Sequence, residues 1–313
     1  MGKLSYAMAA FAPLVSVVVP TRDRPALLKR AVAAVLGQDY PGEIDCVVVF
    51  DQSPPHLPKG LSVPPGRSLR AVGNQRTPGL AGARNTGITV ARGQLVAHCD
   101  DDDEWLPGKL SAQVSDLASE PGSSVVTAGI ITVSGHHERT RVIPHRLIAH
   151  DMLLRSRIME AHSSTVVVRR DAYDRVGLVA EDIPGGYGED YDWLLRASAD
   201  APLLVTQRPL VRVAMHRGSY FSGRCGTIVE ANRYLVRRHP DLADDRVGMA
   251  RIYGRLAIAE AGLGHRNKAC GYAVRSLRLR PNQLRAFVAV AISAGVITLD
   301  RANRVANACG RGL

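Results

Sequence analysis

The chemistry of this chain concentrates in four consecutive carboxylates, Asp100, Asp101, Asp102 and Asp103, which close a short apolar run over residues 95–99. The run is too short for an ordinary helix and reads as a buried strand. Pro107 suits the first turn of a following helix, where its missing N–H is not needed. Open α/β sheets bind their ligands beyond the carboxyl ends of strands, where these acids fall. In an extended segment alternate side chains share a side, so Asp100 and Asp102 are expected to face together, with Asp101 and Asp103 facing away. Two converging carboxylates repel each other unless a cation lies between them. Hard oxygen donors suit Mn²⁺ or Mg²⁺, ions that usually complete their shells with substrate phosphates. The competing reading, a solvated acidic loop, is weakened by the buried strand directly before it.

A second group of acids follows the glycines at 185, 186 and 188. Glu189 and Asp190 open a helix there, where the N-terminal dipole favours anions, and Trp193, Leu194 and Ala197 supply its buried stripe. Asp192 lies four residues before Arg196 and is expected to form a surface pair with it. His98 reads as a satisfied core histidine, Trp105 and Trp193 as core aromatics, and Cys99 as a small buried filler. Arg24 and Lys109 read as solvated charges, and His162 and Ser163 as candidates for touching a diphosphate or an acceptor.

These residues need a scaffold, and hydrophobic patterning supplies one. Residues 15–20 are nearly all β-branched, as in a strand buried on both faces of a parallel sheet. Apolar residues at helical spacing follow over 26–36, closed by Gly37, and residues 45–51 form a second strand that again ends on a carboxylate, Asp51. The Pro-rich segment 54–65 is a loop, 68–72 a weak third strand, and 79–91 a Gly-rich loop running into a helix. Downstream, helix is expected over 110–117 and 171–176, and strand over 123–128, 130–142 (a strand or hairpin), 163–169 and 202–215 (one or two strands). Helices at 228–238, 246–261, 268–279 and 284–294 complete the chain. The alternation of strand and helix argues for an α/β fold with a doubly wound sheet whose strand ends feed one crevice. Neither a GxGxxG fingerprint nor a GxxxxGK[ST] loop is present, which argues against dinucleotide and Walker-type ATP binding.

With 313 residues, 46% of them hydrophobic, the chain can bury a substantial core. Its five cysteines form no CxxC pair, which fits a reducing compartment better than a disulfide scaffold. The longest apolar stretch, 286–299, falls short of the roughly 20 residues that span a bilayer, so a cytoplasmic protein is expected. The net charge of +11 is uneven: residues 221–313 carry 16 Lys/Arg against 6 Asp/Glu. Such a tail can be a solvated helix face or can dock peripherally on anionic membrane, and nucleic acid is disfavoured for want of any recognition motif.

Six motifs, in order, carry a resemblance: residues 17–22 (VVVPTR), 48–53 (VVFDQS), 82–87 (GARNTG), 100–105 (DDDDEW), 188–192 (GEDYD), and Arg212 with His216. Over residues 14–222 the chain resembles the GT-A-fold glycosyltransferases of family 2, inverting enzymes that use nucleotide-diphosphate sugars. The resemblance implies a mixed, doubly wound sheet of GT-A type, with a nucleotide-binding half over 14–105, an acceptor half over 106–222, and a basic helical C-terminal extension over 223–313. It implies that Asp51 accepts a hydrogen bond from the base of a UDP-, GDP- or dTDP-linked donor, with Thr21 and Arg84 lining the same pocket. Arg22 and Arg84 suit phosphate contact, because a guanidinium offers a fork of donors. Asp100 and Asp101 belong to the donor site, and Asp102 is implied as the direct metal ligand. His216 completes the metal or diphosphate shell, and Asp190 is the general base. The acceptor would be a glycan, a lipid-linked sugar, a protein or a small molecule. Two alternatives stand beside this: a catalytically silent scaffold of a glycan-assembly complex, and a nucleotidyltransferase. The latter is disfavoured because residues 21–25 hold Thr-Arg-Asp-Arg-Pro in place of a triphosphate loop.

Overall fold

The computed structural model describes residues 12–135, 137–215 and 223–308. Ten strands run in chain order: β1 (Val15–Thr21), β2 (Ile44–Phe50), β3 (Arg67–Gly73), β4 (Leu95–His98), β5 (Glu104–Trp105), β6 (Val125–Ser134), β7 (His137–Arg141), β8 (Leu147–Ile148), β9 (Val167–Arg169) and β10 (Leu203–Ala214). The helices are α1 (Pro25–Leu36), α2 (Leu80–Val90), α3 (Lys109–Ser119), α4 (His150–Arg155), α5 (Ala172–Val176), α6 (Glu189–Asp200), α7 (Cys225–Arg238), α8 (Arg246–Gly262), α9 (Arg266–Leu279), α10 (Leu284–Ser293) and α11 (Leu299–Ala308). Two compact units emerge. One holds the described residues of Met1–His150, Ile158–Glu181 and Glu189–Arg217, the other those of Asp151–Arg157, Asp182–Gly188 and Gly218–Leu313.

The first unit is built on a 10-stranded mixed sheet in the order β3-β2-β1-β4-β9-β6-β10-β5, with β7 on β6 and β8 on β10. β3, β2, β1 and β4 run parallel, and β9 then pairs antiparallel with both β4 and β6. Every residue of β1 and β2 is buried, as the unbroken β-branched runs require when helices cover both faces. Val15, Val17 and Val19 join Leu28, Val32 and Val35 of α1 and Leu110 and Val114 of α3 in one core. Val18 points the other way, toward α2, which sits so close that a Cβ on Gly87 would lie 2.3 Å from Val18 Cγ1. This is the doubly wound arrangement expected from the alternation of elements.

Some local expectations change. The strand expected over 163–169 shrinks to β9, because Ser163–Thr165 wind into a 3₁₀ turn whose hydroxyls find side-chain partners. Residues 202–215 give one strand whose register shifts around Pro209, which cannot donate to a ladder. Gly37 ends α1 at φ −81° and not in the left-handed region.

The second unit is mainly helical. α8 packs against α9 and α10 through small and aliphatic residues, among them Ala257, Ile258, Ala273, Ala286 and Ala289. Buried Glu260 accepts from Arg233 at 3.0 Å and lies 2.8 Å from His265 Nδ1. α11 follows as a helix that apolar patterning alone did not mark. Among the described residues no helix is long and apolar enough to cross a membrane.

Candidate functional site

Of the adjacent parallel strands β2, β1 and β4, the first two end together and β4 ends three residues earlier along β1, so their registers fix what meets there. Thr21 pairs with Phe50 and Val18 with His98, so Asp51, Thr21 and the acidic run come together. Asp51 accepts from Asn74 Nδ2 at 2.9 Å, from the Gly79 N–H at 3.0 Å and from Gln52 Nε2 at 2.9 Å. Burial pushes its carboxyl up, but these donors, with the charge of Arg22, hold it below the usual range. Gln52 reaches back by adopting φ +56°, a left-handed conformation costly for a residue with a Cβ. Thr21 Oγ1 donates to Asp101 Oδ2 at 2.6 Å.

The acidic run does not stay extended. β4 ends at His98, and the Asp103 N–H turns back to the Asp100 carbonyl at 3.1 Å. The alternation expected of a strand therefore fails. Asp101 and Asp102 both meet Arg24, at 2.7 and 2.8 Å, whereas Asp100 and Asp103 gather with His162. One ligand atom from each of those three residues lies within 4.8 Å of the others. Arg24 is exposed, as expected of a solvated charge, and is also the ion-pair partner of both acids.

Ser164 holds this turn in shape. Its Oγ accepts the Asp100 N–H at 2.9 Å and donates to Asp103 Oδ2 at 2.6 Å, while its carbonyl accepts from Trp105 Nε1 at 3.0 Å. His162 Nδ1 accepts the Ser164 N–H at 3.3 Å and stands 3.4 Å from Asp103 Oδ2. Burial, reinforced by the neighbouring charge of Asp100, raises the Asp103 carboxyl to about 6. Burial likewise raises Asp101 to about 6, against the pull of Thr21 and Arg24. Two carboxylates and an imidazole so close together make a donor set suited to a hard divalent ion, with His162 Nδ1 exchanging its long Ser164 contact for the ion, and the cost of crowding the acids falls when one binds.

Arg84 joins the turn to α6. Its Nη2 donates to Asp100 Oδ1 at 2.7 Å and to Ser163 Oγ at 3.0 Å, and its Nη1 to Glu189 Oε1 at 2.9 Å. Ser163 Oγ donates in turn to Asp100 Oδ2 at 2.8 Å. Burial works against the Asp100 charge, but Arg84, with His162 and Ser163, holds that carboxyl far below the usual range. Burial also works against the Arg84 charge, but Asp100, Glu189 and Asp190 act on it together and keep it protonated. Arg84 therefore joins Asp100 to the first turn of α6. Asp190 is half-buried in that turn, its Oδ1 2.8 Å from the Tyr191 N–H. His216 lies outside the described residues.

Several residues read as bland are not. Lys109 is 0% exposed, its Nζ 3.9 Å above the centre of the Trp105 ring and without a hydrogen-bond partner. Burial drives its ammonium down to about 7. The helix start that Pro107 announces turns this lysine into the core, and nothing in its local pattern marks it. Asp192 does pair with Arg196, at 2.8 Å, but is fully buried. His98 is a core histidine with Nε2 2.7 Å from the Tyr173 hydroxyl, and burial lowers it to about 3. Ser164, Asn74 and Glu181, the last bonded to Asn85 and Arg76, carried no readable signal.

A family model described as "Glycosyl transferase family 2" matches residues 16–177. Among curated relatives, the Escherichia coli UDP-Glc:alpha-D-GlcNAc-diphosphoundecaprenol beta-1,3-glucosyltransferase WfgD is 32% identical over 102 residues, 33% of this chain and 40% of that protein. The Campylobacter jejuni GalNAc(5)-diNAcBac-PP-undecaprenol beta-1,3-glucosyltransferase is also 32% identical over 102 residues, 32% of this chain and 33% of its own. The chain spans well under half the length of these relatives. In fold it is similar to S. aureus TarS in complex with UDP-GlcNAc, with TM-score 0.61, 18% identity, and 90% and 91% of the two chains covered. It is also similar to the mannosyltransferase PcManGT from Pyrobaculum calidifontis in complex with GDP-Man and Mn²⁺, with TM-score 0.57, 18% identity, and 91% and 88% covered.

Proposed function

The chain belongs to glycosyl transferase family 2; from that premise we propose that it is a glycosyltransferase that performs an inverting transfer of a sugar from a nucleoside-diphosphate donor to an acceptor hydroxyl, with Asp190 as base. The observation that carries this reading is the Arg84 bridge, which links the acidic turn through Asp100 to the helix turn holding Glu189 and Asp190. A donor held at the strand ends would then lie between a diphosphate site and a carboxylate able to take a proton.

Each residue has a part in that reading. Asp51, fixed by three donors as an acceptor of hydrogen bonds, would take one from the nucleotide base, with Thr21 and Arg22 beside it. Asp100, Asp103 and His162, with Asp102 alongside, would hold Mn²⁺ or Mg²⁺, whose charge would stabilise the departing diphosphate. Asp190 would accept the proton of the attacking hydroxyl from its place in the first turn of α6. Attack from the side opposite the leaving group in one displacement gives inversion. The relatives named for undecaprenol-diphosphate-linked acceptors support a lipid-linked saccharide as acceptor, and the fold neighbours bound to UDP-GlcNAc and GDP-Man support a nucleotide-sugar donor.

Asp190→Asn tests the assignment. Thermal shift with Mn²⁺ and UDP-, GDP- or dTDP-sugars should show the wild-type donor preference retained. Transfer to undecaprenyl-diphosphate-linked sugar should fall by ~10²–10⁴. Normal turnover by the variant would remove Asp190 from the role of base.

A further inference from the structure

α10 is assembled the wrong way round for a helix of a water-soluble bundle. Its inward side, toward α8, is made of small residues: Ala286 and Ala289 are 0% exposed and Ser293 is 8% exposed. Its large apolar residues point out: Leu284 is 63% exposed, Phe287 52% and Val290 44%. At intervals of three these three form one stripe along the helix, and Ala294 at its end prolongs it. After the left-handed turn at Gly295, Val296 is 72% exposed as well. Between Leu284 and Leu299 the only charge is Arg285. A surface helix normally shows polar residues to water, and a contiguous apolar stripe marks a binding face.

The surrounding chain says what kind of face would cover it. From residue 266 to 308 there are eight Lys/Arg and one acid, Asp300. Arg275 and Arg278 on α9 and Arg301 and Arg304 on α11 are all exposed. A second copy of the chain is a poor occupant, because two-fold pairing would set these cationic flanks against each other. At ten residues α10 is ~15 Å long, half of a ~30 Å hydrocarbon core, so it cannot cross a bilayer. Large apolar residues flanked by arginines, on a helix too short to span, fit the boundary between headgroups and acyl chains of an anionic bilayer.

We propose that α10 is a membrane-docking helix: Leu284, Phe287 and Val290 enter the interfacial layer of an anionic lipid surface, and the flanking arginines pair with its headgroups. Such docking would hold the enzyme at a membrane surface.

Vesicle flotation of the full chain tests this without any glycosyl transfer, so its outcome is independent of the activity assigned above. The protein should float with phosphatidylcholine vesicles containing 30% phosphatidylglycerol and remain behind with phosphatidylcholine alone. The triple variant Leu284→Gln, Phe287→Gln, Val290→Gln should lose at least tenfold in partitioning while keeping its melting temperature and donor-induced thermal shift. Arg275→Gln with Arg278→Gln, Arg301→Gln and Arg304→Gln should weaken binding at low salt more than at high salt. Binding that ignores the triple substitution, equal binding to neutral vesicles, or no binding at all would overturn the proposal. So would a dimer in light scattering that the triple variant converts to monomer, which would assign the face to a second copy.

Discussion

Arg84 reaches Glu189 across 105 positions of sequence, Nη1 to Oε1 at 2.9 Å, with both side chains buried. The contact ties α2 to the first turn of α6, and through the other guanidinium nitrogen it ties both to Asp100.

Breaking that pair should cost fold stability before it costs chemistry. Leaving a buried charge wholly unpaired costs about 3–5 kcal/mol, and because Asp100 still holds Arg84 when Glu189 is gone, the loss should lie toward the low end of that range. Glu189→Ala should therefore lower Tm by on the order of 10 °C for a unit of this size. Glu189→Gln, which can still accept the hydrogen bond, should recover part of that loss. Differential scanning calorimetry of the two variants beside wild type separates charge from hydrogen bonding. An unchanged Tm in Glu189→Ala would mean that the bridge holds nothing together.

The proposed cation site can be tested without a sugar. Mn²⁺ titration followed by electron paramagnetic resonance should show Asp103→Asn and His162→Ala each binding at least tenfold more weakly than wild type, the scale expected when a ligand or its close support is lost. Asp102→Asn also breaks the pair with Arg24 and should weaken binding in turn. Undiminished Mn²⁺ affinity in both Asp103→Asn and His162→Ala would shift the site to the middle of the acidic turn.

Lys109 predicts a pH dependence of stability. Burial lowers its folded-state value from 10.5 to about 7, while the unfolded chain keeps the ordinary value. Between those limits the unfolded state binds the extra proton, so this residue's contribution to stability rises as pH climbs from about 7 to about 10.5 and is flat below. Lys109→Met removes the penalty, on the order of a few kcal/mol, offset in part by the lost cation–π contact with Trp105. The variant should melt above wild type at pH 7, and that advantage should shrink toward pH 10. A constant difference across the range would place the lysine in a wetter setting than its neighbours indicate.

These cases mark what the sequence could disclose. Runs such as 15–20 and 45–51 revealed β1 and β2 because a strand buried on both faces leaves a local, continuous apolar record. That Thr21, Asp51 and Asp101 come to one edge was legible for the same reason, since parallel strands carry their carboxyl ends there. Period-two reasoning failed at Asp100–Asp103, because the chain stops being a strand at His98 and a turn hydrogen bond resets which side chains share a face. Lys109 and Asp192 were misread because helix position and charge suggest water, while tertiary neighbours placed both inside. Ser164 was invisible: a hydroxyl becomes a bracket for two acids only when β9 lies antiparallel beside β4, and no local pattern encodes that pairing.

The place of Ser164 bears on how such a domain can be divided. The parallel strands and the acidic turn come from the first hundred or so residues, yet the hydroxyl that shapes the turn arrives some sixty positions later. A fragment ending before Ser163 would keep the parallel strands and every one of the four aspartates, but with no brace to set their spacing. The amino-terminal half is therefore not an exchangeable cassette. Chimeras joined anywhere between Asp103 and Ser163 should work only when both sides of the junction come from parents that agree on this brace.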